Sequence, residues 1–508
     1  MLAKVESLGI FGIDGFSVTV ECDVSAGIPS FEIVGLPDAA VKESKERVRS
    51  AIKNSGLEFP MGRITVNLAP ADTKKEGPVY DLPIAVGLLA ATKQIPSKFF
   101  SDSVFIGELS LSGEIKGVRG VTPMLICAKD AGKKTFYLSR ENSLEASYID
   151  DIDVFIPKNL QQLVNFFRGN DSVDLVEHTT WAHLSESKTF LEDFKFIKGQ
   201  STARLAAEVA AAGGHNLALI GPPGSGKTMI ARAIPSILPD ITFEEALETT
   251  KIHSVCGTLE GGIITSRPFR SPHHTTSVAA LTGGGAKAKP GEVSLSHNGV
   301  LFLDELPEYN RNALEALRQP LEDGKITVSR VQNTSQYPAS FMLVASMNPC
   351  PCGNYGSKVH QCTCSEGMIH KYLSKISGPL LDRIDLQVEV DSVSYEDLSD
   401  DNLAEDSASI RARVQKARQI QQERFAGTDI HCNAQMNSEM IAKFCPLDES
   451  GAFLIQSAFK TLNMSARGYN RILKVARTVA DLEGAENINK RHLAIAINFR
   501  NLDKKYRR

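Results

Sequence analysis

Hydrophobic and polar positions change their period several times along the chain, and each change predicts an element. Phe16-Ser-Val-Thr-Val20 and Arg63-Ile-Thr-Val-Asn-Leu68 alternate residue by residue, the pattern of half-buried strands. Between them Val41, Val48 and Ile52 form the apolar side of a helix; Asp38 is suited to cap it and Gly56 to stop it. Three later runs are apolar throughout: Leu217-Ala-Leu-Ile220, Val300-Leu-Phe-Leu303 and Phe341-Met-Leu-Val-Ala-Ser346. Short uninterrupted runs of this kind predict buried strands. From about residue 407 the pattern is helical, with Ile410, Val414 and Ile420 on one face and Ile472-Leu473-Val475-Ala476 further on.

These shifts divide the chain into an α/β domain over 1–167, a polar linker over 168–194, a nucleotide domain over 195–392 and a helical domain over 393–508. A length of 508 residues suits about three domains. A net charge of −4 argues against a surface coated for nucleic acid, though it leaves room for a narrow basic lining inside a ring. The sequence has no apolar stretch long enough to span a membrane, and its start lacks the order of a signal peptide. A cytoplasmic location is expected, where nine cysteines serve as thiols or metal ligands and not as disulfides.

The chemistry begins where the first apolar run ends. Gly221-Pro222-Pro223-Gly224-Ser225-Gly226-Lys227-Thr228 lies between that predicted strand and a helical segment at Ala231-Arg-Ala233. Strand, glycine-rich loop and helix form a phosphate cradle: backbone N–H groups and the helix dipole face one anion. Lys227 would reach the β- and γ-phosphates of ATP, and Thr228 would hold Mg²⁺. The second apolar run ends in Asp304-Glu305. Asp304 suits the Mg²⁺ shell and Glu305 the polarisation of an attacking water. The third run leads to Asn348, which can hold that water or simply turn the chain before Pro349. Gly378-Pro-Leu-Leu-Asp-Arg-Ile-Asp385 sets Arg383 between two acids, as a local salt bridge or as a finger into a neighbouring site. Arg467, and as an alternative Arg471, opens a late helix from which an arginine could fold onto the γ-phosphate.

The order of these motifs resembles AAA+ ATPases, and Asn312 to Arg330 is similar to the helix and hairpin of the magnesium-chelatase and MCM-helicase branch. Arg267-Pro-Phe-Arg-Ser-Pro-His-His274, Asn348-Pro-Cys-Pro-Cys-Gly353 and the Arg383 segment more closely resemble the bacterial YifB/ComM family, described as magnesium-chelatase-like. The resemblance covers almost the whole chain. It implies an AAA+ P-loop domain with a C-terminal helical lid, assembled as a homo-hexamer that hydrolyses ATP. It also implies a ring motor on single-stranded and branched DNA, driving branch migration or unwinding in natural transformation beside recombination proteins. On this reading Lys227 contacts phosphates, Asp304 binds Mg²⁺, Glu305 activates water, Asn348 and Arg467 are sensors and Arg383 is the finger. Two other functions compete with it: a metal-insertion motor, for which no porphyrin-site signature is present, and a protein-remodelling chaperone, for which no aromatic pore loop stands out.

Residues 71–134 resemble a Lon-type protease domain of S5-type α/β fold, notably Gly107 to Lys116. The serine position of that pattern holds Val79 and the lysine position Thr122, so the resemblance implies the fold without the catalytic dyad. Cys350, Cys352, Cys362 and Cys364 form two C-x-C pairs nine residues apart, a set suited to structural Zn²⁺, with His360 and His370 as substitutes for one thiolate. Lys287 and Lys289 in a glycine-rich loop, and Lys325 and Arg330 in the hairpin, are candidate DNA contacts or merely solvated charges. His273 and His274 are not spaced as a metal pair and are expected to play no catalytic part.

Overall fold

A computed structural model describes residues 1–96, 100, 102–181, 190, 192–285, 288–329, 334–357, 360–393, 404–462 and 464–500. Lys287, Arg330, the Glu186-Ser187-Lys188 stretch, residues 394–403 of the acidic segment and the basic tail 504–508 lie outside the described residues. The chain forms two bodies: Met1–Ser187 with Phe243–Thr265, and Lys188–Thr242 with Ser266–Arg508.

In the first body the alternating runs become strands β1 (Leu2–Phe11), β2 (Asp14–Ser25), β3 (Ser30–Val34) and β4 (Arg63–Ala69). With β5 (Ser103–Phe105), β8 (Thr135–Tyr137) and β9 (Asp153–Phe155) they make a mixed sheet in the order β3-β4-β2-β1-β5-β8-β9. Two short strands, β6 (Glu108–Leu109) and β7 (Ile115–Lys116), pair as a hairpin at the Lon-like segment. Asp38 caps the helix Ala39–Asn54 by accepting the Val41 N–H at 2.8 Å, and Val41, Val48 and Ile52 are buried as the pattern requires. The helix Asp81–Ala91 is apolar on every side and almost wholly buried. Residues 243–265 lie in sequence within the expected nucleotide domain, yet their helix Phe243–Cys256 packs on the helix Val121–Asp130 of this body.

In the second body the apolar runs are β10 (Leu217–Ile220), β12 (Val300–Leu303) and β15 (Met342–Met347), each buried along its length. With β11 (Phe269–Arg270) and β16 (Leu386–Glu389) they form a parallel sheet in the order β11-β12-β15-β10-β16. A parallel sheet covered on both faces needs uninterrupted apolar strands, which is why these runs do not alternate. Before β15, the helices Arg311–Ala316 and Arg318–Asp323 lead into an antiparallel hairpin of β13 (Lys325–Ser329) and β14 (Thr334–Pro338). The helix Ser201–Gly213 presents a buried run of alanines, and the helices Ser407–Arg424 and Ala466–Leu482 pack on it. On Ser407–Arg424 the buried stripe is Ile410, Val414, Ala417 and Gln421; Ile420, expected on that face, is only half-buried because the stripe advances by four and three residues.

Candidate nucleotide-binding and hydrolytic site

Three neighbouring strands of the parallel sheet end at the same edge. Their order β12-β15-β10 sets the Asp304, Asn348 and Gly221 segments side by side, so sequence runs more than a hundred residues apart share one rim. The carboxyl ends of parallel strands are where α/β sheets bind ligands.

The glycine loop has backbone reasons for its composition. A Cβ at Gly221 would lie 2.1 Å from the Val390 carbonyl oxygen. Gly224 and Gly226 have φ of 76° and 88°, the left-handed region that disfavours side chains. A Cβ at Gly224 would meet nothing within 4 Å, so that side of the loop is an open cradle of backbone. Lys227 begins the following helix and is buried. Its Nζ donates to the carbonyl oxygens of Gly221 at 2.8 Å and Pro222 at 2.7 Å, with Asn348 Oδ1 at 3.4 Å. Burial lowers the pKa of this ammonium, and the charge of Asp304 partly opposes that. A cation held only by neutral dipoles suits phosphate oxygens, which would neutralise it.

Asp304 is fixed from three directions. Thr228 Oγ1 donates to Oδ2 at 3.0 Å, the Glu305 N–H donates to Oδ1 at 3.0 Å, and the Ser346 hydroxyl also donates to Oδ1. The Thr228–Asp304 pair is the donor set Mg²⁺ bound to a nucleotide would use, since both present hard oxygens. Glu305 has φ of 53° and is 57% exposed, and its Oε2 lies 3.4 Å from His274 Nδ1. Ser346 and His274 stand beside these acids, and motif reading did not place them there. Ser346 had a partial signal, its place at the end of an apolar run like that of Asp304; that the two stand side by side follows from the parallel register that pairs Leu303 with Ala345. His274 had no comparable signal, because its position depends on how the loop after β11 folds.

Beside Asn348, the four cysteines converge. All four sulfurs lie within 4.8 Å of one another, with Cys350–Cys352 at 3.4 Å, Cys350–Cys362 at 3.7 Å and Cys352–Cys362 at 3.6 Å. A tetrahedral site with metal–sulfur bonds of about 2.3 Å has sulfur–sulfur edges of about 3.8 Å, so the cage fits Zn²⁺. His360 and His370 are not among the converging ligands. Backbone N–H groups of Asn354 and Thr363 pull the Cys352 thiol down to about 5, whereas burial pushes Cys350 up to about 12. The knuckle touches the phosphate loop: a Cβ on Gly353 would lie 2.4 Å from Pro223 Cδ.

The arginines divide. Arg383 pairs with Glu322 and donates to the Pro379 carbonyl at 2.7 Å; its side chain is only 10% exposed. It therefore sits in the local ion pair that the sequence left open. Arg467 is exposed; the hydrogen bond and charge of Arg383, with a smaller part from the Arg467 charge, hold the Glu322 carboxyl below the usual range. Arg471 is half-buried, with Nε 3.2 Å from Asp385 Oδ1, so it is committed to a local ion pair. Burial alone would raise the Asp385 carboxyl, but His215, Arg471 and Lys474 bring it down to about 2.

Val79 and Thr122 are both buried, and Thr122 Oγ1 donates to Glu145 Oε1 at 2.8 Å. Lys289 is exposed where its backbone bridges Gly284, and Lys325 is exposed at the start of β13.

The fold and this rim define a P-loop ATPase of the AAA+ class with a magnesium-chelatase-like build. Models of magnesium chelatase subunit ChlI match residues 193–398 and 20–142, and the model of its C-terminal part matches 404–500. The chain is 44% identical over 504 residues to competence protein ComM of Haemophilus influenzae, covering 98% of this chain and 97% of that one. It is 41% identical over 505 residues to protein YifB of Escherichia coli, covering 99% and 98%. It is also 26% identical over 179 residues to Lon protease 2 of Bacillus subtilis, 32% of each chain. The chain belongs to the YifB/ComM family of magnesium-chelatase-like AAA+ proteins. Membership implies ATPase activity. No helix among the described residues is long and apolar enough to cross a membrane.

Proposed function

We propose that the protein is an ATP-driven ring motor on DNA, acting in branch migration or unwinding during uptake and integration of incoming DNA. The observation that carries the ATPase half is the shared rim of β10, β12 and β15, where Lys227 Nζ lies 3.4 Å from Asn348 Oδ1 and Thr228 donates to Asp304 at 3.0 Å. Lys227 and the loop N–H groups bind the phosphates, Thr228 and Asp304 hold the Mg²⁺ that shields phosphate charge, and Glu305 takes a proton from the attacking water. Asn348 orients that water or the γ-phosphate. Arg383 leaves Glu322 to enter a neighbour's site, and Arg467 answers to bound nucleotide from the helical lid. Active sites completed by a neighbour require a closed ring, here a homo-hexamer. The DNA half rests on 44% identity to a competence protein along nearly its full length, and on the exposed Lys289 and Lys325.

The N-terminal domain, 1–167, serves as an assembly or DNA-handling module of S5-type fold, joined by 168–194 to the ATPase core 195–392 and lid 393–508. Cys350, Cys352, Cys362 and Cys364 bind one structural Zn²⁺ that pins the loop beside Asn348; elemental analysis of protein purified without added metal should find about one zinc per chain. The deciding experiment is steady-state ATPase of the purified chain alone, with single-stranded DNA and with branched DNA. DNA should raise turnover, branched DNA most. Turnover indifferent to every DNA would reject the motor reading.

A further inference from the structure

The four-thiol loop is joined to the nucleotide rim at three places. The first is covalent: Cys350 follows Asn348 by two residues, directly after β15. The second is packing. Gly353, the residue after Cys352, donates its N–H to the Cys350 carbonyl at 3.0 Å and has φ of 82°. A Cβ there would lie 2.4 Å from Pro223 Cδ and 2.9 Å from Cγ, so only bare backbone fits against the phosphate loop at this point. The third place closes a circuit. Cys364 leads into Ser365, whose side chain accepts the Met368 N–H at 3.3 Å and caps the helix Glu366–Leu373. That helix carries the buried Tyr372, and the Tyr372 hydroxyl accepts the Asn348 N–H. The chain thus leaves Asn348, passes through the four cysteines and the helix, and returns to Asn348 through a hydrogen bond.

The middle of this circuit is tied by weak bonds to sulfur. The Tyr355 N–H donates to Cys350 Sγ at 3.3 Å, and the N–H groups of Asn354 and Thr363 donate to the Cys352 sulfur. A metal bonded to all four sulfurs would add a rigid cross-link between 350–352 and 362–364. On the rim side, the Pro222 carbonyl accepts from the Lys227 ammonium at 2.7 Å, and Asn348 Oδ1 lies 3.4 Å from the same nitrogen. The knuckle therefore braces Asn348 itself and the neighbour of Pro222, two of the contacts of Lys227.

Building on the ATP and zinc readings above, we infer that metal in the four-cysteine cage and nucleotide on the phosphate loop bind cooperatively. Both order the same unit. The metal fixes the circuit that holds Pro223 and Asn348, and the nucleotide fixes Lys227 and Asn348 from the rim. The ligand that binds second meets a site already held in its binding-competent form, which raises its affinity. Linkage makes the effect reciprocal, with one factor for both ligands.

The test measures both equilibria on the full chain, with Mg²⁺ in excess. Affinity for a fluorescent, non-hydrolysed ATP analogue is read in zinc-loaded and zinc-stripped protein. Zinc affinity is read by competition with a chromophoric chelator, with and without the analogue. Zinc should tighten analogue binding about tenfold, and the analogue should tighten zinc binding by the same factor. In Lys227→Ala protein, which lacks the phosphate-binding ammonium, the analogue should leave zinc affinity unchanged. Tyr372→Phe opens the circuit and should shrink the factor while both ligands still bind. Gly353→Ala sets a methyl against Pro223 and should weaken the analogue more in zinc-loaded than in stripped protein. Independent affinities in the wild type would overturn the inference, as would an equal zinc shift in Lys227→Ala or an unchanged factor in both knuckle variants. A zinc-stripped chain that loses its circular dichroism would also overturn it, since the effect would then be global unfolding. Wild type that binds no zinc overturns the four-thiol site, and wild type that binds no analogue overturns the ATP reading. Binding of both without coupling overturns the inference alone.

Discussion

Asp304 in the second body and Glu145 in the first are both carboxylates ringed by hydroxyl and amide donors, and they differ in what remains open beside them. Asp304 takes bonds from Thr228, Ser346 and the Glu305 N–H, while Glu305 next to it is 57% exposed. Glu145 takes the Thr122 N–H and Oγ1 on one oxygen, both at 2.8 Å, together with the Ser254 hydroxyl. Thr122 is 1% exposed and Val79 7%, so the position where a Lon-type dyad would work is packed shut. A satisfied carboxylate is therefore not a sign of chemistry. What separates the two is convergence: three strand ends bring a cation, a metal-type ligand pair and a free carboxylate to an open rim, whereas the Glu145 cluster fastens a helix start to its neighbours.

Four measurements would break or sharpen this contrast. The largest effect is expected at Arg383. Arg383→Ala should bind ATP yet lose turnover by at least about 10³-fold, and mixing with Lys227→Ala protein should restore part of it through hybrid interfaces. A role confined to the Glu322 pair would instead cost about 0–1 kcal/mol of stability and leave turnover alone. Next, Glu305→Gln should retain nucleotide affinity and lose about 10²- to 10³-fold in kcat; near-normal ATPase would remove Glu305 from the open rim's chemistry.

Asp385 provides the third test, as a carboxylate both closed and charged. Its folded value is depressed to about 2, so its stabilisation is complete above the unfolded carboxylate range and disappears as pH falls from about 4 towards 2. Asp385→Asn should be less stable than wild type by roughly 2–3 kcal/mol at neutral pH in denaturant unfolding, with the gap closing over that window. A gap independent of pH would mean packing and not charge sets its worth. The smallest effect belongs to Thr122→Ala, which should lower stability by about 1–2 kcal/mol and leave ATPase unchanged. A change in turnover without a change in stability would reopen the first body as a working site.

Much of the rim was legible because its parts are local. The loop Gly221–Thr228, the paired acids after β12 and the C-x-C pairs are short stretches whose spacing carries the chemistry, and apolar runs beside the loop and the acids mark strands. The helix after Asp38 was legible for the same reason: cap, stripe and stop lie within twenty residues. The arginines were not. Arg383, Arg467 and Arg471 read alike in sequence, yet one pairs with Glu322, one is exposed and one is locked on Asp385. Their partners lie 61 residues away for Arg383 and on a different strand end for Arg471, so no local pattern distinguishes them.

By itself, the sequence determined that the chain holds a glycine-rich loop after one apolar run, two adjacent acids after another and four cysteines in two C-x-C pairs, because each is a run of neighbouring residues. The tertiary structure decided which of these meet. The parallel register of β12 with β15 set Ser346 beside Asp304, and the path of the loop after β11 set His274 against Glu305. It also decided that residues 243–265 pack with the first body, through the helix they form against Val121–Asp130. The physical reason is that hydrophobic burial fixes each element's buried face from its own residues, whereas register and loop path depend on partners far along the chain.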